Sequence, residues 1–331
     1  MNIIVDNSAQ HRALEQFPNQ IQYVLDNYKP HGLQVSQFTN VIIGGLGGSG
    51  IGGRLIKTYV AAKFPLPIEC ISDYSLPAYA NKNTLLILAS YSGNTEETLA
   101  MYADGKAKGC HMMVVASGGK IVELAQADGV HYNLIQGGFQ PRMALGYSLT
   151  VQVKIFSELM GENADESLKA LVEKTSDKTE YLESAQGIFE AIQKHLDKKI
   201  IIVTDAQFEA VGIRFAQQIQ ENAKSEAFVH VLPEANHNVI ETYYGQVPSV
   251  FIFIHSQENE RTENRFDFLN SLLEVEYHKV VHVAVVDFHL AAIYETIFRL
   301  DWLSLLIADF KRVDALNVPN IASLKEFLEH C

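Results

Sequence analysis

Cationic residues are the first shortage in this chain: 331 residues carry 26 Lys and Arg against 39 Asp and Glu, for a formal net charge of −13. A polyanionic partner needs a basic footprint, so no nucleic-acid partner is expected. A small anion is still admissible, because local dipoles and a few cations outweigh a distant field. Apolar residues make up 47% of the sequence, yet they never run for the roughly 18 positions a membrane-crossing helix requires. No membrane partner is expected either. Cysteine is scarce: Cys70, Cys110 and Cys331 are odd in number and lack metal-ligand spacing. That excludes a disulfide scaffold and suits a reducing, cytoplasmic setting. The opening Met-Asn-Ile-Ile-Val-Asp has neither the basic start nor the apolar core of a signal peptide.

The length holds two domains, each with its own core. A helix is expected over 8–28. From Asn40 onward strand, loop and helix alternate: strands at Val41–Ile43, Ile68–Ser72, Leu85–Ala89 and Met112–Ala116, helices at Arg54–Lys63 and Glu96–Lys108, and a helical stretch at Pro141–Phe156. Residues 158–195 are charge-rich and read as helices bridging two domains. A second alternation follows, with strands at Lys199–Val203, Ala227–Leu232, Val250–Ile254 and Val280–Val285, and helices at Ala206–Glu221, Glu260–Leu272 and Ala291–Asp309. This predicts an α/β protein of two doubly wound parallel-sheet subdomains, 1–153 and 154–331.

The most informative stretch is Leu85–Glu97. Its apolar strand breaks at Ser90, Ser92, Gly93, Asn94 and Thr95 and then enters a helix. A helix N-terminus offers unpaired N–H groups and about half a unit of positive charge. Three hydroxyls spaced S-x-S-x-x-T around a glycine make a neutral anion cradle there. An ordinary Ser or Thr N-cap would account for one of them. The corresponding segment of the second half, His255-Ser256-Gln257-Glu258, is acidic and glycine-free, so one phosphate site per chain is expected.

Gly44–Gly53 reads as a loop after the first strand and contains G-x-G-x-x-G twice. Glycines there let a backbone approach a ligand closely, and Gly48 and Ser49 would add to the cradle. A nicotinamide-cofactor oxidoreductase is the rival reading, with Glu69 or Asp73 as the ribose acid. A nucleoside-triphosphate loop is excluded, since Arg54 and Leu55 follow Gly53.

The glycine loop with Ser-x-Ser-Gly-x-Thr resembles the sugar isomerase (SIS) domain family, whose flavodoxin-like members bind phosphosugars at this edge. Pro141-Arg142, Glu221-Asn222-Ala223-Lys224, Pro233–Asn238 and Lys325 are similar to the bifunctional phosphoglucose/phosphomannose isomerase subfamily. The resemblance implies an aldose–ketose isomerase acting through a cis-enediolate, without cofactor or metal, as a homodimer with shared active sites. Such chemistry calls for a carboxylate base, a cation for the enediolate and an acid/base pair for the ring oxygen. By the resemblance Glu221 is the base, Arg142 the cation, and His237 with Lys325 the ring-opening pair. Each also has an ordinary reading: a solvated helix-end acid, an interdomain salt bridge, a surface loop histidine and a solvated helix lysine. Ile321, Leu324 and Leu328 are expected to dock the Lys325 helix. Asp314-Ala315-Leu316-Asn317 stands where subfamily members often have an Asp-Pro-Thr-like segment, which bears on acceptance of mannose phosphate. His278 and His282, flanking the start of a strand-like run, would lie about 13 Å apart, too far to share a metal. A phosphosugar-sensing protein without catalysis remains the alternative from another class.

Overall fold

Runs of Val, Ile and Leu without polar alternation become buried parallel strands. A computed structural model, describing residues 6–244 and 247–328, arranges them in two sheets. The chain divides into two compact units, Gln16–Asp177, and Met1–Glu15 together with Lys178–Cys331. The helix expected over 8–28 is two, α1 (Ser8–Glu15) and α2 (Phe17–Asn27), and the units divide between them. Pro18 sits in the first turn of α2, where a missing N–H costs no intrahelical bond.

The Gln16–Asp177 unit continues with β1 (Asn40–Gly44), α3 (Gly47–Val60), β2 (Ile68–Ile71), β3 (Thr84–Ala89), α4 (Glu96–Ala107), β4 (His111–Ala116), α5 (Lys120–Asp128), β5 (His131–Leu134), α6 (Leu145–Leu159) and α7 (Asp165–Ser176). Its sheet runs β2-β1-β3-β4-β5, all parallel. β3 is buried at every position and pairs Leu86 with Ile42 on one side and Met112 on the other. Ile42, Leu86, Leu88 and Val114 pack against Met101, Tyr102 and Ile121 of α4 and α5. Full burial of each such side chain stabilises by about 1.5–3 kcal/mol. α3 and α6 pack on each other, as do α4 and α5, so the sheet is doubly wound.

Three expectations change here. The glycine run is a helix from Gly47 onward rather than a loop to Gly53. Glycine costs a helix about 1 kcal/mol per residue, and close packing explains its use: a Cβ on Gly50 would lie 2.4 Å from the Gly45 carbonyl oxygen. Pro141–Met143 is a short 3-10 turn, with α6 beginning only at Leu145. The stretch 158–195 is divided between the units: α7 packs on α2 within its own unit, and the chain crosses to the other unit at Asp177/Lys178. Position 153/154 falls inside α6.

The other unit contains α1, α8 (Thr179–Ile192), β6 (Lys199–Asp205), α9 (Glu209–Ala223), β7 (Ala227–Leu232), β8 (Ser249–His255), α10 (Glu260–Val275), β9 (Lys279–Ala284), α11 (Leu290–Lys311) and α12 (Pro319–Leu328). Its parallel sheet, β7-β6-β8-β9, repeats the order β2-β1-β3-β4. Phe251 and Phe253 of β8 pack with Phe266, Leu269 and Leu273 of α10. On α9 and α11 the meeting faces are partly polar: Arg214 pairs with Asp301 at 2.8 Å, and Asn222 donates to Ser304 Oγ at 3.0 Å, all buried. No helix among the described residues is long and apolar enough to cross a membrane.

Candidate active site

β1 and β3 are neighbours in a doubly wound sheet, and the crevice beyond their C-terminal ends is the place where such sheets bind ligands. Ser49, in the first turn of α3, is buried, and its Oγ accepts the backbone N–H of Tyr91 at 2.9 Å. One side chain thus ties the two walls together, and its own hydroxyl hydrogen remains to be donated. The Ser90 and Thr95 hydroxyls share a hydrogen bond of 2.9 Å, and Ser90 Oγ also accepts the Gly93 N–H at 3.2 Å. That pair consumes one hydroxyl hydrogen and leaves one. Thr95 is the N-cap residue of α4, yet its side chain does not cap the helix. The ordinary N-cap explanation therefore fails for this threonine. Ser92 is exposed, and its Oγ accepts the Asn94 N–H at 3.3 Å.

Gly93 has φ +71°, and a Cβ on it would lie 1.8 Å from the Gly118 carbonyl oxygen, so no other residue is accommodated. The loop after β3 is locked onto the loop after β4: Asn94 Oδ1 accepts the Lys120 N–H at 2.8 Å, and the Ile121 N–H donates to the Gly93 carbonyl at 2.9 Å. Tyr91 is a further support that sequence reasoning missed. Its phenol donates to the Gln136 carbonyl at 3.1 Å and accepts the Phe139 N–H at 2.8 Å, holding the segment that leads to Arg142. Burial pushes the Tyr91 hydroxyl above its ordinary pKa, so it stays a donor. Arg142 is 3% exposed. Its 3-10 turn lies on the first turn of α3, where a Cβ on Gly48 would meet the Pro141 carbonyl oxygen at 2.9 Å. Gly48, Ser49, Ser90, Ser92, Thr95 and Arg142 thus belong to one unit and to the elements around one sheet edge.

The equivalent edge of the second sheet is built differently. Asp205, at the end of β6, accepts the Ser256 N–H at 2.9 Å and the Ser256 hydroxyl at 3.1 Å on Oδ2, and the Phe208 N–H at 2.8 Å on Oδ1. A buried carboxylate joins the walls where Ser49 does so in the first sheet. The donors that a bound anion would need are already engaged by the protein's own anion.

Glu221, His237 and Lys325 lie in this second unit. Glu221 is half-buried in the last turn of α9. Asn222 beside it is fully buried against Ser304. Lys224 ends the helix in the left-handed region at φ 51°. His237 is exposed in a 3-10 turn, Glu234–His237, just after β7. Lys325 lies on α12, whose expected docking face is not packed: Ile321, Leu324 and Leu328 are 42%, 57% and 43% exposed. Helix-like spacing identified the helix, but these three side chains stay exposed. His278 and His282 have separate partners, the Ser249 N–H with the Tyr243 carbonyl for the one and the Asn270 side chain for the other. Among the described residues no group of three or more His, Cys, Asp or Glu is arranged to hold a metal. Glu69, considered for a ribose, bonds the Tyr79 hydroxyl.

Comparison with known proteins supplies the family. The model of the bacterial phospho-glucose isomerase C-terminal SIS domain matches residues 183–328. A bifunctional phosphoglucose/phosphomannose isomerase of Caldicellulosiruptor bescii is 33% identical over 326 residues, 94% of this chain and 96% of the relative. Another, from Aquifex aeolicus, is 27% identical over 96% of this chain and 98% of its own. The C-terminal domain of glucosamine-fructose-6-phosphate aminotransferase from Francisella tularensis has the same fold, at TM-score 0.70 and 13% identity, covering 93% of this chain and 97% of that one. With its two flavodoxin-like SIS units, the chain belongs to the bifunctional phosphoglucose/phosphomannose isomerase family.

Proposed function

We propose that this protein interconverts glucose 6-phosphate and mannose 6-phosphate with fructose 6-phosphate, as a cytoplasmic homodimer with shared active sites. The observation that carries the reading is the crevice at the ends of β1 and β3 in a chain of this family. There Ser49 keeps a hydroxyl hydrogen to donate, the Ser90–Thr95 pair keeps another, and Ser92 is exposed. A phosphate held by these hydroxyls, with Gly48 allowing close approach, fixes one end of the sugar.

The remaining chemistry follows from the substrate. His237 and Lys325 exchange protons with the ring oxygen and the C1 hydroxyl, giving the open-chain aldehyde. Glu221 then removes the C2 proton, leaving a cis-enediolate whose charge Arg142 balances; the O2 hydroxyl proton passes to O1, and Glu221 returns its proton at C1 to give the ketose. His237 and Lys325, both exposed, are the residues we assign to reach a site shared with a second copy.

Incubation with fructose 6-phosphate in deuterated water, followed by NMR, tests the activity. Glucose and mannose 6-phosphate carrying deuterium at C2 are expected; binding without either aldose would support the sensing alternative instead. Ser92→Ala should raise KM for the phosphosugar.

A further inference from the structure

Lys224 occupies a backbone conformation that L-residues other than Asn and Asp seldom adopt, at a helix end where glycine is the usual choice. A strained residue retained in this way calls for a reason. Its side chain supplies one. Nζ donates to the carbonyl of Glu221, in the last turn of α9, and at 2.7 Å to the carbonyl of Asn317. Asn317 closes a turn in which Asp314 Oδ1 accepts the N–H groups of Leu316 and Asn317, at 2.7 and 3.1 Å. That turn lies two residues before α12, a helix with no buried residue of its own. One ammonium group therefore joins the helix end that carries Glu221 to the stem of the helix that carries Lys325.

We infer that Lys224 is a positioning residue that fixes the Glu221 turn of α9 to the stem of α12. The inference rests on the roles proposed above for Glu221 and Lys325. Lys224 need not touch substrate. Its loss would let the two groups drift apart, and misplacement of about 1 Å is costly to a proton transfer. A lysine that served only as a favourable charge at a helix C-terminus would affect stability and leave turnover alone.

The experiment compares Lys224→Gly, which keeps the left-handed turn, with Lys224→Met, which keeps the aliphatic stem, and Lys224→Arg, which keeps a donor. Glu221→Gln is measured in parallel, with steady-state kinetics on fructose 6-phosphate and a thermal midpoint for each. The expected result is kcat lowered about tenfold in Lys224→Gly and Lys224→Met, KM within about twofold, unchanged thermal midpoints, and Lys224→Arg within about threefold of the parent. Loss of turnover in Glu221→Gln with kcat kept in both the Gly and Met variants would overturn this inference alone. Turnover retained in Glu221→Gln would overturn the general-base reading and this inference with it. A fall in kcat matched by a rise in KM and a lower thermal midpoint would show a structural role only, and also overturns it.

Discussion

Tyr91 donates its backbone N–H to Ser49 Oγ at 2.9 Å, across the gap between the loop after β3 and the first turn of α3. The two residues are 42 positions apart, and this bond joins the two walls of the crevice beyond β1 and β3. Removing the hydroxyl leaves a buried N–H without its acceptor, at a cost of about 1–3 kcal/mol. Ser49→Ala should therefore lower stability in a denaturant titration by that amount. It should also weaken fructose 6-phosphate binding, measured calorimetrically.

Gly93→Ala should be more damaging. The added Cβ would overlap the Gly118 carbonyl oxygen at 1.8 Å, and φ +71° strains any Cβ-bearing residue. Loops 90–95 and 117–120 would have to separate. A loss of more than about 2 kcal/mol is expected, with phosphosugar binding reduced beyond what Ser49→Ala produces.

Loop 90–95 was legible in the sequence because its purpose depends on residue type, hydroxyl and glycine, at a strand's end. The central strands were legible for a similar reason: Leu85–Ala89 and Val250–Ile254 are continuous apolar runs, and both are fully buried. What escaped notice depends on partners remote in sequence. β5 is His-Tyr-Asn-Leu, a half-buried edge strand with no apolar run to announce it. The helical start at Gly47 runs against propensity and is explained by close contacts that only folding creates. Tyr91 stands between two serines in the sequence, and its phenol holds Gln136 and Phe139 in place. The apolar spacing on α12 was visible, whereas the exposure of Ile321, Leu324 and Leu328 was not.

Asp104 should give the first unit a pH-dependent component of stability. The Lys108 ammonium, at 2.5 and 2.6 Å, and the Leu76 N–H, at 2.8 Å, hold its carboxyl below the usual range. A depressed carboxyl pKa stabilises the fold above the unfolded-state value near 4, and the contribution disappears as pH falls through the folded value. Asp104→Asn should accordingly lower the thermal midpoint at pH 7. As pH falls through the folded value the difference from the parent should shrink toward zero.

Arg214 and Asp301, paired at 2.8 Å and each almost fully buried, should behave as a unit. Asp301→Ala leaves a buried guanidinium without its counter-charge, which costs about 3–5 kcal/mol. The double variant Arg214→Met/Asp301→Leu removes both charges and keeps much of the volume between α9 and α11. Its stability should lie much nearer the parent in urea titrations, and a double variant no better than Asp301→Ala would refute the account.

The carboxylate of Asp205 gives the repeated sheet order a direction. A chain with two sheets of like order presents two like edges to an anion. A serine hydroxyl bridging the crevice admits an anion, whereas a carboxylate in the same role repels one and withholds the donors it would need. A single exchange of neutral oxygen for charged oxygen thus makes the two edges chemically unequal toward an anion. A titration with fructose 6-phosphate is therefore expected to saturate at one site per chain.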